Sequence, residues 1–135
     1  MLTPKKKTTA FLCHCHEDRK AILALWSHLK RDGVEVWLDK KNLFAGQDWE
    51  RTIRKAILQS DVIIVGLSRR FNKEHGFRHE ELRIALQKAK WLDDEVFIIP
   101  VRLEKCDMPE SLQHLHRVDL FTKGGYRKLV RALRG

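Results

Sequence analysis

Apolar and polar positions alternate along the chain between two periods. "TTAFLC" (8–13) is a short apolar run rich in strand formers. In "EDRKAILALWSHLKRDG" the apolar residues Ile22, Leu25, Trp26 and Leu29 fall at i, i+3, i+4 and i+7, the stripe of a half-buried helix, and Gly33 is placed to stop it. "VEVWL" (34–38) alternates as a strand does, and "DKKNLFAGQD" reads as a loop. Trp49, Ile53, Ala56 and Ile57 mark a second helix. "DVIIVGL" (61–67) is apolar without alternation, as expected of a strand covered on both faces. "SRRFNKEHG" is polar and loop-like. A third helix is predicted from about Phe77 to Trp91, with Leu82, Ala85, Leu86 and Ala89 as its core stripe. "VFIIPV" (96–101) is a fourth strand, in which Pro100 suggests an edge or a strand end. "RVDLF" (117–121) is a short fifth strand, and "GYRKLVRALR" closes the chain as a helix.

Strands and helices thus alternate, about five of each. That pattern predicts an α/β fold with a parallel sheet and helices on both faces. Right-handed crossovers leave few topologies, and a flavodoxin-like order is favoured. Ligands of such sheets bind beyond the carboxyl ends of the strands. Those ends carry "CHCHED", "LDKKNLFAGQDW", "LSRRF" and "PVRLEK", and functional residues are sought there.

Composition narrows the class. The 135 residues, 43% hydrophobic, suit one domain over 8–135 preceded by a basic tail over 1–7. No apolar run is long enough to span a bilayer or to act as a secretory signal. Three cysteines, two of them one residue apart, argue against a disulfide framework and for a reducing cytoplasm. Lys and Arg total 27 against 18 Asp and Glu, a formal charge of +9. Such a surface favours anionic partners. The basic residues are spread along the chain, and no nucleic-acid signature accompanies them.

The densest chemistry is "FLCHCHED" (11–18). Structural zinc needs four ligands, usually in two separated pairs. On a strand Cys13 and Cys15 point one way and His14 and His16 the other, and no second pair exists, so no metal site is assigned. A Cys13–Cys15 disulfide would be strained. What remains is a strand tip, with Cys13 as a small buried residue and His14 and His16 either structural or facing a ligand. In the third helix, at about 100° per residue, Glu80 lies nearly opposite the core stripe and Glu81 about 90° from its centre, one turn after Phe77. Glu81 is either an ordinary boundary residue or a half-desolvated carboxylate beside an aromatic ring, the environment of many catalytic carboxyls.

Taken in order, "FLCHCHED", "LDKKNLFAGQDW", "VIIVGLS", "GFRHEELRIAL" and "FIIPVRL" resemble the motifs of a TIR (Toll/interleukin-1 receptor) domain of prokaryotic style, from about Thr8 to Leu133. The resemblance implies a flavodoxin-like fold and one of two functions. The first is hydrolysis of NAD+ at the nicotinamide–ribose bond, giving nicotinamide and ADP-ribose or a cyclic form. NAD+ is then a substrate, and no cofactor is implied. By the same resemblance Glu81 is catalytic, and His14, Cys15, His16, Phe44, Gly46, Ser68 and Phe77 bind substrate, with Leu43 and Ala45 in the same loop as Phe44. The tip that usually reads Ser-Tyr-Ser is here Cys13, His14, Cys15, and Phe77 stands where tryptophan is common. The second function is a signalling scaffold that associates with other TIR domains, to which an exposed "NLFAG" loop would contribute. Many TIR domains carry a sensor or oligomerisation region after the closing helix, and with one the parent protein would be a defence or signalling effector. A nucleic-acid-binding module is the third reading, resting on charge alone.

Overall fold

A computed structural model describes residues 8–38, 46, 48–73, 77–90 and 97–134, without the side chains of residues 16, 49, 50 and 77–81. Five strands, β1 (Thr9–Cys13), β2 (Glu35–Trp37), β3 (Val62–Leu67), β4 (Ile98–Arg102) and β5 (Val118–Asp119), form one sheet. All described pairings are parallel, and the strand order is β2-β1-β3-β4-β5. This is the flavodoxin-like order that the alternation predicts. The helices are α1 (Arg19–Arg31), α2 (Trp49–Gln59), α3 (Arg69–Lys73), α4 (Phe77–Ala89) and α5 (Gly125–Arg134). Among the described residues, no helix is long and apolar enough to cross a membrane.

The period-2 pattern sends alternate residues to opposite faces, and the two faces bury separate cores. Ala10, Leu12, Val62 and Ile64 meet Ile22, Leu25 and Leu29 of α1 and Leu129 and Leu133 of α5. Phe11, Cys13, Ile63, Val65 and Leu67 meet Ile53 and Ile57 of α2 and Leu82 and Ala85 of α4. Every residue of β3 is buried, which explains its unbroken apolar run. Burying one such side chain is worth about 1.5–3 kcal/mol, so the sheet's two faces supply most of the driving force.

Helix ends follow local chemistry. Gly33, at φ 87°, ends α1: its N–H donates to Lys30 O, and Val34 N–H to Leu29 O. A left-handed residue is needed there, and glycine adopts it without a Cβ penalty. Asp48 caps α2 by accepting from Arg51 N–H at 3.3 Å. At the other end of α2, the ammonium of Lys88 on α4 donates to Leu58 O at 2.5 Å and Ser60 O at 2.9 Å. A cation there satisfies orphan carbonyls and opposes the helix dipole.

Two expectations are corrected. Residues 69–73, read as loop, form the short helix α3. Its one buried side chain is Phe71, too little to print a period on a polar sequence. Pro100 lies neither at an edge nor at a strand end, because β4 is flanked by β3 and β5. Leu103 N–H donates to Leu67 O of β3, so by alternation the nitrogen of residue 100 faces the β5 side. Pairing with β5 begins only at Val101, so the missing donor breaks no ladder bond. The expected tail at residues 1–7 lies outside the described residues.

Candidate functional site

The carboxyl ends of β1 and β3 lie side by side, with Cys13 paired to Val65. Beyond Cys13 the chain turns through His14 and Cys15 into a 3-10 turn, His16–Asp18, and then into α1. A small polar knot ties these ends together. The Cys15 thiol donates to Asp18 Oδ2 at 3.0 Å. The Ser68 hydroxyl donates to the same oxygen and accepts from Phe71 N–H at 3.1 Å. Cys15 Sγ and Ser68 Oγ lie 3.9 Å apart. The carboxylate of Asp18 therefore joins the tip of β1, the entry to α1 and the start of α3.

Burial, followed by the hydrogen bond and charge of Asp18, pushes the Cys15 thiol up to about 12. It is a neutral donor at physiological pH, not a nucleophile. His14 is 1% exposed and Cys15 fully buried. The burial of the imidazole at position 14 fits the structural alternative left open for it. Ser68, also 1% exposed, is turned into the knot and caps α3. Position 16 opens the 3-10 turn, and its side chain is among those not described. Gly46 has φ 88° and open space where a Cβ would be, so its backbone conformation, not crowding, calls for glycine. Leu43, Phe44 and Ala45 lie outside the described residues.

Phe77 and Glu81 lie on the first two turns of α4, and their side chains are not described. The helix itself is informative. Leu82, Ile84 and Ala85 are all buried, and at about 100° per residue they span roughly 160° of the helix. Ile84 is thus buried in addition to the stripe read from the sequence. Because α4 follows β3, its first turns stand at the carboxyl end of the sheet, the same end as the knot.

On the far side of that end, the Arg102 guanidinium makes a two-pronged ion pair with Asp119, at 2.7 and 2.8 Å, and donates to Cys106 O at 2.8 Å. Arg102 holds the Asp119 carboxyl below its ordinary value. This pair fastens the last residues of β4 and β5. Among the described residues no group of three or more His, Cys, Asp or Glu is placed to hold a metal ion, and Cys13, Cys15 and Cys106 are not joined in a disulfide. Sequence reasoning missed the roles of Asp18 and Lys88. Asp18 has one near partner, Cys15, but meets Ser68 across 50 residues, and Lys88 reaches carbonyls 28–30 residues away, so local sequence shows neither tertiary contact.

The sequence profile of the TIR domain family matches residues 10–133, and the chain belongs to that family. A protein of Sinorhizobium fredii, y4cD, is 32% identical over 125 residues, covering 92% of this chain and 20% of that protein. The NAD(+) hydrolase TcpA of a Theionarchaea archaeon is 37% identical over 92 residues, covering 67% of this chain and 27% of that protein. The chain thus spans only about a fifth to a quarter of the length of these curated relatives. Among solved structures, the TIR domain of the Toll-related receptor TRR-2 from Hydra magnipapillata superposes with a TM-score of 0.78. That pair is 26% identical, and the match covers 93% of this chain and 98% of that domain.

Proposed function

We propose that this TIR domain hydrolyses NAD+ at the nicotinamide–ribose bond, with Glu81 as the catalytic carboxylate. The observation that carries the reading is the place of residue 81 in the first turns of α4, which stand at the carboxyl end of the sheet, the same end as the knot. Membership of a family with a named NAD(+) hydrolase relative supports it.

The chemistry asks little of the protein beyond placement. Breaking an N-glycosidic bond develops positive charge on the ribose, in an oxocarbenium-like transition state. A carboxylate beside that ribose stabilises the charge, more strongly where water is excluded. Nicotinamide leaves as a neutral group, so no strong general acid is required. Holding the substrate in one orientation supplies much of the rest. The Asp18 knot contributes by fixing the β1 tip and the start of α3 relative to one another, so that the ligand-facing end of the sheet is preorganised.

The test is incubation of the purified domain with NAD+, alone and with a crowding agent, followed by mass spectrometry of the products. Free nicotinamide with ADP-ribose or a cyclic isomer is the expected result. Glu81→Ala and Glu81→Gln should lower turnover by at least about 100-fold, the lower end of what a lost charge-stabilising group costs. Undiminished cleavage by Glu81→Ala would end the assignment.

A further inference from the structure

We propose a second ligand site, at the opposite end of the sheet, that takes a small amphipathic anion. The described residues enclose a cavity of about 590 Å³ beneath the short strand β5. That volume is within the ordinary range of small-molecule pockets, about 300–1,000 Å³.

The cavity exists because β5 is only two residues long and pairs with β4 only at Val101 and Arg102. Below that point no described strand lies beside the outer edge of β4, and α4 and α5 stand on either side of the gap. Phe97, Ile98, Ile99 and Val118 line it from the sheet, and Leu86 and Ala89 from α4. The rim is different. His114, His116 and Arg117 come from the segment preceding β5, and Lys128 from α5; all four are exposed. No acidic residue is among the described lining. An apolar floor under a rim of cationic and titratable groups matches a ligand with an apolar body and one anionic head.

Two details favour a small molecule over an added peptide strand. Strand addition needs a row of free backbone donors and acceptors. The edge of β4 below β5 presents Ile98 and Pro100 on that side, and proline has no N–H to give. The segment over residues 113–117 also stands between hollows. Leu115, His116 and Arg117 line a second one of about 530 Å³, and His114 a third of about 580 Å³. The site is separate from the proposed catalytic end: residue 89 lies about 12 Å along the α4 axis from residue 81.

The experiment uses decanoate as probe and decanol as its neutral counterpart, titrated into methyl-labelled protein and followed by NMR and calorimetry. Decanoate is expected to bind once per chain and to shift the methyl resonances of Leu115, Val118 and Ala132. Decanol should bind at least tenfold more weakly. Lys128 and Ala132 are exposed, so variants there are compatible with folding. Lys128→Glu should weaken decanoate at least tenfold, and Ala132→Trp should abolish the site by filling its mouth. Unshifted cavity methyls, equal affinity for decanol, or binding indifferent to Ala132→Trp would each overturn the proposal. So would a ligand-free dimer that Ala132→Trp dissociates, since the cavity would then be the seat of a second copy.

Discussion

Removing the Ser68 hydroxyl tests whether the Asp18 knot holds the ligand-facing end of the sheet together. Ser68→Ala deletes two bonds at once, the donation to Asp18 and the acceptance from Phe71 N–H. Losing a helix-capping side chain costs about 1 kcal/mol. A hydrogen bond to a charged group is worth about 1.5–3 kcal/mol. Asp18 is only half-buried and keeps the Cys15 thiol as a donor, so the lower end of that range applies. The expected total is about 2–2.5 kcal/mol. Urea denaturation reads it directly: with a slope of about 2 kcal/mol per molar, the midpoint should fall by about 1 M. Asp18→Asn and the double variant complete a cycle, in which bonded partners should couple by at least about 0.5 kcal/mol. A loss under about 1 kcal/mol, or strict additivity, would refute the knot as an energetic unit. NAD+ turnover in the same variants, measured well below their midpoints, would show whether the knot also preorganises the site.

Gly125→Ala should be more damaging than its chemistry suggests. A Cβ there would lie 2.1 Å from the backbone oxygen of Asp119 and 3.1 Å from Leu120 Cα. Backbone must move to admit it, at a cost of about 1–3 kcal/mol or more, visible as a lowered thermal midpoint. Gly66→Ala would instead meet the tip of the Ile22 side chain, at 2.8 Å, and should cost less in the same assay. The Arg102–Asp119 pair predicts acid sensitivity. The folded-state value of Asp119 is depressed, so its stabilisation is present above the ordinary carboxylate value of 3.8 and is lost as pH falls below it. Arg102→Gln should remove that part of the acid loss, seen by comparing urea midpoints at pH 7 and pH 3; an unchanged pH difference would contradict the pairing. For Cys15 the sign is opposite. Its value rises from 9.0 to about 12, so the stabilisation is complete below 9.0 and fades as pH climbs toward 12. In native protein at pH 8, iodoacetamide should spare Cys15 and reach it only on unfolding; rapid native alkylation, located by peptide mapping, would contradict the burial.

Periodicity alone determined the architecture of this chain. Spacings of two and of three to four residues decide which side of each element turns from water, and five strands alternating with helices leave little choice beyond a parallel, doubly covered sheet. The stop at Gly33 and the double burial of β3 were equally legible, being local in cause. Helix α3 was not, because five residues with one buried aromatic make no period. Nor was the burial of His14 and Ile84, which depends on what packs over them. The order of motifs along the chain pointed to its family and to Glu81 as a candidate. Which groups meet at the end of the sheet was decided only by tertiary structure. Asp18 touches Ser68 across 50 residues of chain, Lys88 reaches the end of α2 across 30, and the cavity under β5 exists because that strand joins β4 only from Val101 onward. Local spacing records the direction in which a residue faces, whereas contact, enclosure and shifted ionisation arise only between segments that folding brings together.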